Sequence, residues 1–203
     1  MSGTRRFIRY SFNKQLTYLE QMIEYANKWN TTLVDPKHPV LHNEATVNPL
    51  DTDIVWQTVE QEMFKLMHER LGIGLASPQL GNPVKMFVMT HSEEGDIAVY
   101  NPKIINVSEE TISMEEGCLS FPGLFFHVTR PEAVQVTFQD RKGEEKSMEL
   151  TGMDARVFQH ETDHLHGVLH LSYISDFKLQ RAIAKRDKLI KKYSKMKQSV
   201  GRL

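Results

Sequence analysis

Cysteine is almost missing from this chain: Cys118 stands alone among 203 residues. A single cysteine forms no intramolecular disulfide, so nothing in the sequence requires an oxidising compartment. No run approaches the roughly 20 apolar residues of a membrane span, so no membrane partner is expected. The formal net charge is only −1, which gives no global pull towards DNA or an anionic surface. Repeats and low-complexity linkers are lacking too, and a chain of this length suits one domain with a real core. The glycine pattern Gly72-x-Gly74, followed by Pro78-Gln79, completes neither a dinucleotide fingerprint nor a phosphate loop with Lys-Ser/Thr.

What the chain does have is His160-Glu161-Thr162-Asp163-His164. Histidines four apart on a helix share a face and can meet one divalent cation without bending the backbone. Glu161, one step round, would stand beside the ion and could take a proton from water. The bland alternative is a solvated helix carrying two histidines and an acid. The third ligand decides the chemistry, and two candidates exist. Continuing through Gly167 to His170 gives the long metzincin pattern, with His170 as third ligand of a metalloprotease. That reading also needs a methionine turn, and the only methionine after His170 is Met196, in a lysine-rich stretch. The second candidate is Cys118, set in Glu115-Glu116-Gly117-Cys118-Leu119-Ser120-Phe121-Pro122-Gly123. Glycine and proline on both sides suggest an irregular segment that aims a thiolate. Cys-His-His is a sound ligand set for zinc or ferrous iron.

Three segments together resemble the peptide deformylase family: Gly72-Ile73-Gly74-Leu75-Ala76-Ser77-Pro78-Gln79, Glu116-Gly117-Cys118-Leu119-Ser120, and Gln159-His160-Glu161-Thr162-Asp163-His164-Leu165. They occur in the family's order, and the similarity runs from about Val34 through the C-terminal helix. Ser77 departs from the family's usual alanine, a small-for-small change. The resemblance implies an enzyme that removes the N-formyl group from the N-terminal methionine of newly synthesised proteins. It implies Cys118, His160 and His164 as metal ligands and Glu161 as acid/base. The Gln79 side chain and the Leu119 backbone N–H would stabilise the oxyanion. Gly74, Ile73, Glu116 and Arg130 would bind substrate, Gly74 by pairing with the peptide as an added strand. Fe2+ is the expected ion, with Zn2+, Ni2+ or Co2+ as alternatives. Beside this stand the His170 metalloprotease and a non-catalytic nascent-chain or ribosome-binding protein.

The expected fold is α+β, with antiparallel strands around a central helix carrying the metal motif and helices at both termini. Residues 1–33 read as a helical extension and 34–203 as the catalytic domain. Asp51 is an N-cap candidate for a helix carrying Val59, Met63, Leu66 and Met67 on one side. Strands are expected at 84–90, 97–107, 112–120, 133–140 and 144–150, with Arg141-Lys142-Gly143 as a turn and a helix from Asp154. From Lys178 to Arg202 only Asp187 opposes a run of lysines and arginines, and Leu179, Ala182, Ile183, Arg186, Ile190 and Tyr193 fall at helical intervals. Such a helix suits ribosomal RNA on an enzyme acting on nascent chains. Arg5, Arg6, Arg9 and Lys14 precede the first acid, Glu20. A bacterial-type cytoplasmic location is expected, with a mitochondrion or plastid if that segment is a transit peptide.

Overall fold

The computed structural model describes residues 32–52, 54 and 56–200, leaving aside the side chains of 189 and 192–200. The expected N-terminal helix and the Tyr193 side chain therefore lie outside the described residues. The architecture is α+β. Helix α1 spans Trp56–Glu69, and β1 (Gly74–Ala76), β2 (Met86–His91), β3 (Gly95–Val107), β4 (Thr111–Gly117), β5 (Phe125–Pro131), β6 (Ala133–Gln139) and β7 (Glu145–Thr151) follow. Helices α2 (Gly152–Leu165) and α3 (Asp176–Val200) complete the chain. No helix among the described residues is long and apolar enough to cross a membrane.

One sheet has the order β1-β2-β3-β6-β7, and β4 pairs with β5 as a separate ribbon. Every strand pair is antiparallel. Alternation along β2 sends Met86 and Val88 to one face and Phe87 and Met89 to the other. The first face packs on Val59, Met63 and Met67 of α1. The second packs on Ala155 and Phe158 of α2, with Phe87 and Phe158 edge to face at 5.1 Å between ring centres. The motif helix is thus clamped on the sheet by its apolar positions, which leaves the stripe holding Met153, Val157, His160 and Glu161 for the cleft.

Two local expectations are corrected. Asp51 does not cap α1: it ends a short 3-10 turn, Pro49–Asp51, capped by Asn48, whose side chain also bonds the Asp51 carboxylate. Pro49 favours the tight turn at that place. The strand expected at 112–120 ends at Gly117, after which Cys118 leaves the ladder and its carbonyl accepts from the Phe121 N–H at 2.9 Å. At the C-terminus, Leu179, Ala182 and Ile183 pack on Phe121, Leu124 and Leu169, so the start of α3 braces the cysteine turn.

Candidate active site

The cysteine turn, the start of β1 and the cleft-facing stripe of α2 enclose a cleft of about 840 Å³. Cys118 and His160 line it and His164 lies behind them, and one donor atom of each lies within 4.8 Å of the others. Tetrahedral coordination with bonds of about 2.0–2.3 Å puts donors roughly 3.3–3.8 Å apart, so small adjustments suffice to hold one ion. Cys118 Sγ is already 3.2 Å from His164 Nε2. His170 is not among the converging donors. It is buried 5.7 Å from His160 between ring centres, with Phe121 and Phe126 against it. The third ligand candidate that the fold brings into place is therefore Cys118.

The two histidines of that set differ in their electrostatics. Burial, reinforced by the neighbouring His160 and His170 imidazoles, keeps His164 well below the usual histidine range, so its imidazole is neutral and free to ligate. Burial also opposes a charge on His160, yet its contacts with Cys118 and Glu116 and the nearby Glu161 outweigh this and raise it to about 10, so this imidazole gives up a proton when it ligates. Burial pushes Glu161 up to about 7 against the opposing pull of His160. Its Oε2 is sealed and has no partner among the described residues.

Glu116 lines the cleft and Arg130 lies behind it, and both are engaged with protein partners. Glu116 Oε2 meets His160 Nδ1 at 2.9 Å, fixing which ring nitrogen faces the other ligands. The same carboxylate accepts from Arg130 Nε at 2.6 Å and from Arg156 Nη1 at 2.7 Å. Burial works against the Glu116 charge, but these hydrogen bonds hold its pKa far below the usual carboxylate range. Arg130 also donates to Asp163 Oδ2 at 2.7 Å and lies over the Tyr173 ring. It is buried and does not line the cleft.

Gln79 has its orientation fixed. Its Oε1 accepts from the Ala76 N–H at 2.8 Å, so Nε2 turns towards Ser120 Oγ at 3.2 Å and Cys118 Sγ at 3.5 Å. The Leu119 N–H has no acceptor among the described residues and both residues line the cleft. Gly74 lies against Glu161, and Ile73 is half exposed at the mouth. Sequence reasoning missed Arg156, although its place four residues before His160, on the same helical face, was a usable signal. It also missed Asp163 as the partner of Arg130, a pairing formed only in three dimensions.

Comparison with known proteins agrees with this geometry. The family described as polypeptide deformylase matches residues 30–180. The peptide deformylase of Rhizobium meliloti (strain 1021) is 38% identical over 168 residues, covering 80% of this chain and 91% of that protein. A chloroplastic/mitochondrial peptide deformylase of Arabidopsis thaliana is 40% identical over 135 residues, 64% of this chain and 50% of that one. The crystal structure of peptide deformylase from Ehrlichia chaffeensis superimposes with a TM-score of 0.71 at 33% identity, covering 79% of this chain and 97% of that one. In sequence and in backbone alike, the chain belongs to the peptide deformylase family.

Proposed function

We propose a division of labour within this cleft for the family's reaction, the metal-dependent removal of the N-formyl group from the N-terminal methionine of newly made proteins. Cys118, His160 and His164 hold one divalent ion, Fe2+ in the cell, with Zn2+, Ni2+ or Co2+ able to take its place. When bound, the ion supplies Lewis acidity that makes water a competent nucleophile near neutral pH. Glu161 takes the proton of the attacking water and returns it to the departing amine. Its burial supports this role, because a carboxyl raised to about 7 exchanges protons readily at neutral pH. Gln79 Nε2 and the Leu119 N–H donate to the formyl oxygen as it gains charge, each contributing about 2–4 kcal/mol in the transition state. The substrate lies along the free edge of β1, where Gly74 admits its backbone and Ile73 touches the methionine side chain. Glu116 and Arg130 act one layer behind, holding the His160 ring.

The observation that carries this reading is the convergence of Cys118, His160 and His164 beside a buried Glu161 in one cleft. Formate release from an N-formyl-methionyl tripeptide tests it, with anaerobically purified, iron-loaded protein. Glu161→Ala is expected to lower kcat by about 10²–10⁴-fold at unchanged metal content. Equal activity in the two proteins would remove Glu161 from the mechanism.

Docking to the ribosome through α3 is part of the same proposal. Lys178, Lys185, Lys188 and Lys191 are exposed along it, a stripe suited to phosphates. Replacing Lys185, Lys188 and Lys191 by glutamate is expected to abolish salt-sensitive co-sedimentation with ribosomes and leave tripeptide deformylation intact. Co-sedimentation that survives the replacement rules α3 out as the contact. A bacterial-type cytoplasmic location is proposed. The organellar alternative rests on the Arabidopsis relative and on the arginine-rich start of the chain.

A further inference from the structure

Arg156 lines the cleft one helical turn ahead of His160, on the same stripe of α2 as Met153 and Val157. It is only 4% exposed. Nη1 donates to Glu116 Oε1 at 2.7 Å and to the Val128 carbonyl at 2.8 Å, and Nη2 donates to the Ile112 carbonyl at 2.7 Å. A guanidinium carries five N–H donors. The Nε–H and one Nη2 hydrogen are left without an acceptor among the described residues. Nε is not among the sealed, unpartnered polar atoms of the described residues, and Arg156 is part of the cleft wall.

Four residues of helix advance about 6 Å. That is the reach of a methionine side chain whose amide is held at the ligand cluster. Ile73, Phe125, Met153 and Val157 supply the apolar part of the wall there, and Glu116 is held by Arg156 itself. An unpaired donor in such surroundings favours a substrate that brings an acceptor to it. The thioether sulfur of methionine is a weak acceptor, and the oxygen of methionine sulfoxide is a strong one.

We propose that Arg156 is a specificity-determining residue that donates a hydrogen bond to the end of the substrate's first side chain, so that peptides beginning with N-formyl-methionine sulfoxide are substrates of this enzyme. The proposal rests on the deformylase reading above. A wholly apolar wall would reject the sulfoxide by about a hundredfold or more, because its oxygen would be buried unpaired. With Arg156 as partner, the polar side chain keeps a hydrogen bond on entering the cleft.

The test measures formate release by the metal-loaded wild type from three tripeptides differing only in the first side chain: formyl-methionine, formyl-norleucine and formyl-methionine sulfoxide, each sulfoxide epimer separately. At least one epimer is expected to keep kcat/KM within about tenfold of methionine, and norleucine to fall about two- to fivefold below it. Arg156→Lys, which keeps a cation for Glu116 and loses the planar fork, is expected to lower the sulfoxide-to-methionine ratio by about tenfold. Rejection of both epimers by more than a hundredfold overturns the proposal in the wild type alone, whether or not the variant folds. An unchanged ratio in a well-metallated Arg156→Lys protein overturns it too. Failure to release formate from formyl-methionine itself would strike the deformylase reading instead.

Discussion

At Gly74 the backbone passes so close to the Glu161 carboxyl, the proposed base, that a single added methyl group would displace it. A Cβ there would stand 2.9 Å from Glu161 Cγ and Cδ, inside the distance real Cβ atoms keep. Glu161 is buried at the cleft wall, so its carboxyl would have to shift position to make room. Displacing a reacting group by about an ångström costs on the order of 10²-fold in rate. Gly74→Ala is therefore expected to lower kcat/KM by about that factor with metal content unchanged, measured by formate release beside metal analysis. Unaltered kcat/KM would show that Gly74 does not position the base. The grouping of His160, Glu161 and His164 was legible in the sequence because i, i+4 spacing on a helix is a local rule, while Cys118 stood out only through its turn-rich surroundings. The roles of Glu116 and Arg130 were not. Whether a charge faces substrate or another charge depends on partners far along the chain, such as His160, 44 residues from Glu116. Residue type says nothing of that.

Among the elements, long strands with clear alternation were legible to within a few residues, as at β3, β6 and β7. Two strands were not. β1 has three residues and begins in a glycine pattern, too short for a period to register. In β5 the inward positions are Phe126, Val128 and Arg130, so a charge occupies a core-facing place that pattern reading assigns to solvent. Gly167 shows how a correct motif letter can carry a different meaning. In the metzincin pattern it turns the chain to deliver a third histidine to the metal. Here, with φ at +70°, it turns the chain beyond α2, packs on the His42–Asn43 backbone and leaves His170 in the aromatic core. A Cβ at Gly167 would meet Asn43 N at 2.7 Å, and backbone cannot swing aside as a side chain can. Gly167→Ala should thus cost about 2 kcal/mol or more, lowering Tm by at least about 4 °C. Calorimetry reads this directly, and an unchanged Tm would mean that the joint between α2 and the His42 segment is looser than its packing indicates.

Over the whole molecule, the ligand set ties together parts that the apolar core leaves separate. Cys118 comes from the turn after β4, outside the five-stranded sheet, whereas His160 and His164 come from the helix clamped on that sheet. A bound ion therefore links ribbon, turn and helix, and the apolar contacts of Leu179, Ala182 and Ile183 extend the connection to α3. Such a site forms only in the folded chain, so its binding free energy adds to stability. Free metal at a thousand times its dissociation constant contributes about 4 kcal/mol, which for a chain of this size is about 8–16 °C in Tm. Stripping the metal with a chelator is expected to lower Tm by that amount, and ferrous iron or zinc added back should restore it. Two substitutions locate the effect: Cys118→Ala should lose the metal-dependent shift, while His170→Ala should keep it although its own Tm falls. The reverse pattern would make His170 the third ligand. A shift surviving in both would place the stabilising ion elsewhere.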